Sequence, residues 1–158
     1  MSARLRRLHP DEFAGWRAES AERYAADMVE NGGFAPTAAR AKAELDFERT
    51  LPDGLETPAQ HVWVIESEDG APVGTVWLGE RDAPGEGRTA FVYEIRVDDA
   101  CRGRGYGRVA MLMLEDEARE LGHDRIDLNV FGGNVVARGL YRSLGYEERA
   151  VFMGKRLT

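Results

Sequence analysis

Three glycines at alternate positions form the stretch of the chain that is best suited to binding chemistry. Gly103, Gly105 and Gly107 stand in "CRGRGYGRVAMLMLEDEARELG", residues 101–122, directly before an apolar pattern typical of a helix. Glycine lets backbone N–H groups approach a ligand closely, and the first turn of a helix has unpaired N–H donors and a partial positive charge. A glycine turn at a helix start therefore predicts an anion site suited to phosphate or pyrophosphate.

Two common phosphate-binding motifs differ from this glycine stretch. A Walker loop ends in Gly-Lys-Ser or Gly-Lys-Thr, which is absent here. A dinucleotide fingerprint has the spacing G-x-G-x-x-G, whereas this chain has G-x-G-x-G preceded by Arg102. A glycine-rich turn without any ligand is the remaining alternative, and the glycines alone do not exclude it.

A second group of residues gives the glycine stretch a more specific meaning. Residues 93–122 followed by residues 128–146 resemble the GNAT N-acetyltransferase family, and the detailed match covers about residues 73–158. The family hallmark Arg/Gln-x-x-Gly-x-Gly/Ala stands here as Arg102-Gly103-Arg104-Gly105-Tyr106-Gly107. The second motif of the family is matched by Asn134, Ala137, Leu140, Tyr141, Leu144, Gly145 and Tyr146.

This resemblance implies a fold and a cosubstrate. The implied fold is α/β (α+β), with a mixed, mostly antiparallel sheet of about seven strands that is splayed between strands 4 and 5 and flanked by about four helices. The pantetheine of acetyl-CoA would insert along strand 4, and the glycine turn would present its amides to the CoA pyrophosphate. Acetyl-CoA is thus the expected cosubstrate, and no metal is expected.

The resemblance also assigns residues to the cosubstrate. The backbone of Ile95 and Val97 would face the pantetheine amides and the thioester oxygen, while their side chains belong to the core. Asn134 is both a helix cap and a CoA contact, and these two roles are compatible. The remaining cofactor-binding candidates are Arg102, Gly103, Arg104, Gly105, Tyr106, Gly107 and Arg108.

Acetyl transfer from a thioester to an amine also requires proton transfer. Tyr141 follows Asn134 by seven residues and so lies on about the same helix face. In the family a Tyr at this position reaches the thioester sulfur and acts as the general acid. The alternative is an amphipathic core tyrosine whose hydroxyl is bonded elsewhere.

Glu94 is the candidate general base, and several alternatives stay open. An acid within the apolar run "FVYEIRV" is costly to bury unless it is paired or functional. Arg96 could make Glu94 structural, and the side on which Glu94 points depends on whether this strand carries a bulge. Some relatives have the base on strand 5, where this chain has Asn129. Three alternatives for the base follow: Glu94 acts through water, another acid such as Glu80 is the base, or the enzyme has no dedicated base.

The elements that would position these residues can be predicted from periodicity, turns and caps. The strands are expected in residues 3–10, 61–67, 72–80, 88–97, 125–131 and 149–157. The helices are expected in residues 10–31, 36–51, 108–122 and 134–146. The order strand–helix–strand after residue 88 favours a parallel pair there.

Length and composition are typical of one globular domain. A chain of 158 residues, 43% of them hydrophobic, builds one core, so residues 1–158 are expected to form a single domain. No apolar run reaches the ~18–20 residues of a membrane span and the start lacks a signal peptide, so we expect a cytoplasmic protein without a membrane partner. The lone Cys101 has no disulfide partner.

The charges divide unevenly at the glycines. Residues 1–101 have 11 Lys/Arg and 20 Asp/Glu, whereas residues 102–158 have 10 and 8. An acidic chain without a basic stripe argues against nucleic acid as a partner. The acidic part would form the acceptor side of the cleft and attract a cationic amine. Its candidate acids are Glu19, Glu22, Asp27, Glu30, Asp46 and Glu48.

The sequence therefore predicts an acetyl-CoA-dependent N-acetyltransferase. A primary amine, on a small molecule or a peptide and cationic in character, would attack the thioester directly in a ternary complex. The alternative is a non-catalytic acyl-CoA-binding sensor or interaction module, which the missing acid at position 129 keeps open. A nucleotide-phosphate enzyme is disfavoured by the absent Walker lysine, and the oligomeric state stays open, a homodimer included.

Overall fold

A five-stranded sheet with helices on both faces forms the body of the molecule. The computed structural model describes residues 2–158. Its strands are β1 (Ala3–Arg7), β2 (Gln60–Ser67), β3 (Pro72–Ala83), β4 (Gly87–Val97) and β5 (Ile126–Leu128). Its helices are α1 (Phe13–Glu30), α2 (Pro36–Thr50), α3 (Tyr106–Glu120) and α4 (Val135–Ser143).

The strands lie in the order β1-β2-β3-β4-β5. Neighbouring strands are antiparallel from β1 to β4, and β4 and β5 are parallel, joined through α3. This confirms a mixed, mostly antiparallel sheet with four helices. The expectation of seven strands is wrong, because the described residues form five. The strand expected at residues 149–157 has no ladder partner in the structure, and every residue of that stretch is exposed.

β4 carries an irregularity that decides where its side chains point. Trp77 of β3 pairs with Glu94, and the next residue, Leu78, pairs with Val92. Tyr93 is therefore an extra residue, which is the definition of a β-bulge. Because of the bulge, Tyr93 and Glu94 both point to the face covered by α1 and α2: Tyr93 stacks on Trp77, and Glu94 bonds to α1.

The apolar run of β2 fills a core on each face of the sheet. Trp63 and Ile65 belong to the core under α3, and Val62 and Val64 belong to the core under α1 and α2. Side chains alternate along a strand, so a continuous apolar run is what a strand covered on both faces requires. The largest fully buried side chains are Met28, Ile65, Leu78, Met111 and Leu114.

Local sequence explains where the helices begin. Pro36 opens α2, where its fixed φ and missing N–H are no disadvantage. Gly105, with φ 86°, precedes α3, and Asn134 caps α4 through its side chain. Among residues 2–158, no helix is both long and apolar enough to cross a bilayer.

Candidate active site

The ladder between β4 and β5 is short and leaves part of β4 open. It joins Ala90, Phe91 and Val92 to β5 and ends at the pair Val92–Leu128. Residues 94–97 pair with β3 only and Tyr93 is the unpaired bulge residue, so the other edge of residues 93–97 faces a gap between β4 and β5. The expected splay between these strands is therefore visible in the pairing. Backbone N–H and C=O groups on such an edge need partners, and a ligand laid along β4 supplies them.

Ile95 and Val97 lie on this open stretch of β4. Ile95 pairs with Val76 of β3 and packs its side chain against the core under α3. Val97 pairs with Gly74, where a Cβ would lie 2.0 Å from the Arg96 carbonyl oxygen. Only glycine allows the two strands to approach this closely, so the end of β4 is held firmly at the entrance to the glycine turn.

The glycine turn joins the end of β4 to α3. Gly103 and Gly105 adopt positive φ values of 73° and 86°, and Gly103 has open space where a Cβ would stand. The first backbone bond that enters α3 runs from the Val109 N–H to the Gly105 carbonyl, at 3.2 Å. Within residues 2–158, the N–H groups of residues 103–108 have no backbone acceptor in the turn. Such unpaired N–H groups at a helix start are donors that an anion can use.

The charged and aromatic side chains of this turn have different surroundings. Arg102 forms an ion pair with Asp99 at 3.0 Å, which holds it over the turn that precedes the glycines. Arg108 donates to Ser143 Oγ at 2.9 Å and so ties α3 to α4. Arg104 has no ion pair within the described part of the chain, and Tyr106 packs against the α3 core. Arg104 is thus the arginine best placed to meet a ligand.

Gly107 and Asn134 bring α3 and α4 together. A Cβ at Gly107 would lie 3.4 Å from Leu140 Cδ2, so a glycine allows α4 to pack against the start of α3. Asn134 Oδ1 accepts from the Ala137 N–H at 3.2 Å, which is the capping bond predicted for α4. The cap uses only the carbonyl oxygen of Asn134, so its amide NH₂ is left for another acceptor.

Tyr141 lies on α4 and packs against the core under α3. Its ring contacts the ring of Tyr146 at a centroid separation of 5.9 Å. The Tyr141 hydroxyl forms no hydrogen bond within residues 2–158, and it is not among the fully buried polar atoms. Burial of the ring raises the pKa of Tyr141 to about 12, and the nearby charge of Asp27 adds to that rise. The hydroxyl is therefore protonated at neutral pH and free to donate.

Asp27 reaches this region from α1, on the other side of the gap. Asn31 Nδ2 donates to Asp27 Oδ1 at 2.6 Å. A Cβ at Gly133 would lie 3.1 Å from the Asn31 carbonyl oxygen, so the end of α1 touches the loop that precedes α4. Asp27 was only one of six candidate acids in the sequence. No sequence signal pairs it with Tyr141, because only the tertiary fold brings α1 and α4 together.

Glu94 is held by α1 and β3. Trp16 Nε1 donates to Glu94 Oε2 at 3.0 Å, and Thr75 Oγ1 donates to the same oxygen at 3.1 Å. Ser20 lies beside this carboxylate, but its buried hydroxyl forms no hydrogen bond of normal geometry. Burial raises the pKa of Glu94, although the donors around it and Arg96 oppose that rise. Oε1 accepts no hydrogen bond within residues 2–158, so this oxygen can take a proton.

Arg96 does not pair with Glu94 directly. Its Nη1 lies 2.9 Å from Glu19 and 3.0 Å from Asp98, so it neutralises two acids on the α1 side. Its Nε donates to Thr75 Oγ1 at 3.4 Å, and Thr75 in turn bonds to Glu94. The structural alternative for Glu94, an ion pair with Arg96, is therefore not what the geometry shows.

The other acids named for catalysis or acceptor binding are mostly engaged elsewhere. Glu80 lies 2.5 Å from His123 Nε2, and Asn129 is exposed just beyond β5. Asp46 accepts from Tyr24 at 2.9 Å and pairs with Lys42 at 2.6 Å. Glu22, Glu30 and Glu48 are exposed on the helices. Of the six acceptor-side acids, Asp27 combines a position near Tyr141 with the lack of an ion pair in the described residues.

No group of three or more His, Cys, Asp and Glu side chains suited to a metal ion occurs in residues 2–158. The candidate site consists of the open edge of β4, the glycine turn, and the side chains of Tyr141, Glu94 and Asp27.

Comparison with known proteins shows the family of the chain. The family model described as the Acetyltransferase (GNAT) family matches residues 8–146. The chain is 32% identical over 158 residues to the "Uncharacterized N-acetyltransferase YycN" of Bacillus subtilis, with 99% of this chain and 100% of that protein covered. It is 31% identical over 157 residues to YdgE of the same organism, also named an N-acetyltransferase, with 99% of each covered.

Solved structures show the same fold. The crystal structure of YycN superposes with a TM-score of 0.90 and covers 99% of both chains at 32% identity. An acetyltransferase of Clostridium acetobutylicum whose crystal structure includes acetyl-CoA has a TM-score of 0.68 at 15% identity, covering 98% of this chain and 96% of that one. At that identity the second likeness concerns the fold alone.

Proposed function

The chain belongs to the GNAT acetyltransferase family, and from this premise we propose that it is an acetyl-CoA-dependent N-acetyltransferase that acts on a cationic primary amine. The observation that carries the proposal is the open edge of β4 at residues 93–97, which leads straight into a glycine turn with free amides. Residues 1–158 act in this proposal as one catalytic domain.

The chain provides complementary groups for each part of acetyl-CoA. The free N–H groups of residues 103–108 suit the pyrophosphate, with Arg104 as an added positive charge. The open edge of β4 at Ile95 and Val97 offers backbone partners to the pantetheine amides. The amide NH₂ of Asn134 is a further donor at the start of α4. Gly105 has a φ of 86°, a backbone conformation that favours glycine, at the start of α3 where the pyrophosphate would lie.

Acetyl-CoA supplies a thioester whose carbonyl carbon bonds to the amine nitrogen while its sulfur leaves as a thiolate. Glu94 accepts, directly or through one water, the proton that the ammonium form of the acceptor must lose before the neutral amine attacks. Tyr141 donates a proton to the departing sulfur, so the thiol leaves neutral. The nitrogen loses a second proton as the amide forms, and this proton replaces the one that Tyr141 gave to the sulfur, while the first proton passes from Glu94 to solvent.

The surroundings of Tyr141 and Glu94 suit these opposite roles. Tyr141 has a raised pKa of about 12 and an unengaged hydroxyl, so it carries a proton throughout the neutral range. Glu94 has one oxygen fixed by Trp16 and Thr75 and the other unengaged, and its pKa is raised by burial. A raised pKa makes the carboxylate a stronger base.

Asp27 supports the choice of a cationic acceptor. Its charge is not neutralised by an ion pair in the described residues, and it lies close enough to Tyr141 to raise the pKa of that hydroxyl. A carboxylate in a partly buried position attracts an ammonium group more strongly than the solvated acids of the helices do. Asp27 therefore orients the acceptor, while Glu94 removes its proton.

Calorimetry followed by an activity assay tests the proposal. Acetyl-CoA and CoA should bind to the purified protein, whereas ATP should not. A panel of primary amines should then release free thiol, with cationic amines ahead of neutral ones of the same size. Binding of acetyl-CoA without turnover on any amine would favour the non-catalytic module, and no binding at all would contradict the proposal.

A further inference from the structure

The chain contains two lysines, Lys42 and Lys155, and their surroundings differ. Lys42 of α2 pairs with Asp46 at 2.6 Å, and this hydrogen bond raises the pKa of Lys42. The amine of Lys42 is therefore held in its protonated form by a partner. Lys155 is exposed and forms no hydrogen bond or ion pair within residues 2–158. Of the two lysine side chains, only that of Lys155 can react without first losing a partner.

Lys155 lies in the last nine residues of the chain, residues 150–158, which are called here the C-terminal segment. They form no helix, strand or turn, and all nine are exposed. None of them forms a hydrogen bond with the rest of residues 2–158, so no bond fixes the course of the segment beyond Arg149. The segment also has Arg156 and no acid, so its own charges do not neutralise Lys155.

The C-terminal segment leaves the body of the molecule close to the cleft. Arg149 lies 3.8 Å from Asp127 of β5, and the next residue, Leu128, is where the ladder with β4 ends and the gap begins. Lys155 follows Arg149 by six residues, which span up to ~20 Å when extended. Glu94 is two residues beyond the end of that ladder, or ~7 Å along β4. The segment is therefore long enough to bring Lys155 into the cleft of its own molecule.

The acceptor side of the cleft has a charge that complements Lys155. Asp27 has no ion pair in the described residues and lies close enough to Tyr141 to raise the pKa of that hydroxyl. A carboxylate and an ammonium that both lack partners attract each other, most strongly where water is partly excluded. Because Lys155 is tethered, its effective concentration at the cleft is on the order of millimolar.

The residues around Lys155 also find a suitable surface there. Phe34, just after α1, and Phe131, in the loop before α4, lie with ring centroids 6.3 Å apart. Both rings are half-buried, and they lie near the last turn of α1, which includes Asp27. Phe152 and Met153 are exposed apolar residues two and three positions before Lys155. Contact with the two phenylalanines would remove apolar surface from water while Lys155 approaches Asp27.

We propose that the protein acetylates its own Lys155, with the C-terminal segment folded back so that this lysine occupies the acceptor side of the cleft in the same molecule. The inference rests on the proposed function, because it uses the same bound acetyl-CoA. The amide bond from Nζ to the acetyl carbon forms while the carbon–sulfur bond of the thioester breaks, and CoA leaves as the neutral thiol. The nitrogen loses two protons: one replaces the proton delivered to the sulfur, and the other reaches solvent. The modification removes the positive charge of Lys155, so its attraction to Asp27 ends.

Mass spectrometry of the full chain tests the proposal. The protein is incubated with acetyl-CoA and no added amine, and the acetylated positions are located by peptide sequencing. Lys155 should be acetylated at least about tenfold faster than Lys42 of the same molecules, because it is unpaired and tethered beside the cleft. Lys155→Arg keeps the charge and should abolish this acetylation, whereas the matched control Lys42→Arg should leave it unchanged. Acetylation of Lys42 or the N-terminal amine with Lys155 unmodified overturns the proposal.

Gly105→Asp separates the enzymatic reaction from direct chemical attack by an exposed lysine on acetyl-CoA. This variant keeps Lys155 and is expected to lose affinity for acetyl-CoA. Its Lys155 should therefore be acetylated about tenfold more slowly or less than in the wild type, at an acetyl-CoA concentration that does not saturate the variant. Circular dichroism verifies that the variant stays folded. Equal rates in the two folded proteins would show chemical acetylation and overturn the proposal.

A mixing experiment tests whether the reaction occurs within one molecule. Unlabelled wild-type chains are mixed with isotope-labelled Tyr141→Phe chains, which keep Lys155 but are expected to turn over slowly. Lys155 of the unlabelled chains should be acetylated with a rate constant that dilution does not change, while Lys155 of the labelled chains stays largely unmodified. Equal acetylation of both chains would show transfer between molecules and overturn the intramolecular arrangement.

The amine panel distinguishes this inference from the proposed function. Lys155→Arg should release thiol with added amines as the wild type does. In the wild type, a cationic amine should slow the acetylation of Lys155, because the two compete for one site. Turnover of amines with Lys155 unmodified overturns self-acetylation and leaves the proposed function intact. Binding of acetyl-CoA with neither reaction overturns both.

Discussion

Trp16 and Glu94 are joined by a hydrogen bond of 3.0 Å from the indole Nε1 to the carboxylate Oε2. The bond links α1 to the bulge of β4, at the point where the ladder with β5 has just ended. Thr75 donates to the same oxygen at 3.1 Å. The carboxylate is therefore fixed by two donors at one oxygen, and its other oxygen accepts no hydrogen bond within residues 2–158.

The first prediction concerns the pH profile set by Glu94. A base must be deprotonated, so kcat/KM should rise with pH through the pKa of Glu94, which burial has raised. Thr75→Val removes a donor that stabilises the charged carboxylate, so it should raise that pKa further. The acidic limb of the kcat/KM profile should then move to higher pH. Glu94→Gln should lower kcat/KM by roughly 10²–10⁴-fold and abolish this limb.

Thr89→Val is the matched control for this prediction. Thr89 is also a buried threonine of the sheet, but its hydroxyl donates to the carbonyl oxygens of Ala90 and Arg125, not to Glu94. Thr89→Val should lower the free energy of unfolding and leave the acidic limb of the kcat/KM profile at the same pH. An acidic limb that Thr75→Val and Glu94→Gln do not change would remove Glu94 from the mechanism.

The second prediction concerns Tyr141. Tyr141→Phe removes only the hydroxyl, so kcat should fall by roughly ten- to a thousandfold while the affinity for acetyl-CoA is kept. Since the pKa of Tyr141 is raised to about 12, the wild-type rate should show no loss from its ionisation below about pH 10. Stopped assays of thiol release together with calorimetry measure the two quantities.

Tyr146→Phe provides a comparison on the same side of the sheet. The hydroxyl of Tyr146 donates to Glu115 at 3.3 Å, and its ring packs against Tyr141. Losing this hydroxyl should leave kcat nearly unchanged, because it has a partner of its own. Full turnover by the Tyr141→Phe protein would show that the second motif is structural.

How far the sequence predicts this site depends on how local each feature is. The glycine turn and the Asn134 cap are encoded by neighbouring residues, and the structure places both where they were expected. The bulge at Tyr93 was left open, because it depends on the register between β3 and β4. The approach of Asp27 to Tyr141 depends on how α1 packs against the β5–α4 loop, which periodicity does not reveal. The roles of these residues in catalysis stay predictions.

The strand count shows the same limit in another way. The prediction of a strand in residues 149–157 is wrong for the structure, because a strand also needs a neighbour and this stretch has no ladder partner. The family resemblance implied seven strands, and the chain pairs five in the structure. Local residue preference predicts a strand but does not reveal whether a partner strand is present.

The third prediction concerns the glycine turn. Gly105→Asp places a side chain and a negative charge where the pyrophosphate would lie, so acetyl-CoA affinity should fall by well over tenfold, or ~1.4 kcal/mol. Gly85→Asp is the control: Gly85 has φ +81°, close to the φ +86° of Gly105, and it lies in the turn between β3 and β4 with open space where a Cβ would stand. Both variants carry the same backbone strain, so only the first should lose affinity in calorimetry. Equal affinities would place the pyrophosphate elsewhere.

The last prediction concerns the acceptor. Asp27→Asn keeps the shape of the side chain and removes its charge, so kcat/KM for a cationic amine should fall while that for a neutral-tailed amine of equal size changes little. The loss should be largest at low ionic strength, because salt screens the attraction over a Debye length of ~8–10 Å. In the wild type, kcat/KM for both amines should rise with pH until the free amine or Glu94 has titrated.

Glu30→Gln separates the effect of Asp27 from the general acidity of the chain. Glu30 lies on the same helix, is exposed, and has no ion pair within residues 2–158, so Glu30→Gln removes one negative charge, as Asp27→Asn does. If the cleft selects cationic amines through Asp27, only Asp27→Asn should reduce the ratio of kcat/KM for the cationic amine to kcat/KM for the neutral-tailed amine. If both variants reduce this ratio equally, the long-range field of the acidic half attracts the acceptor. If neither variant reduces it, the shape of the pocket selects the acceptor. The electrostatic account of the acceptor then fails, while acetyl-CoA binding is unaffected.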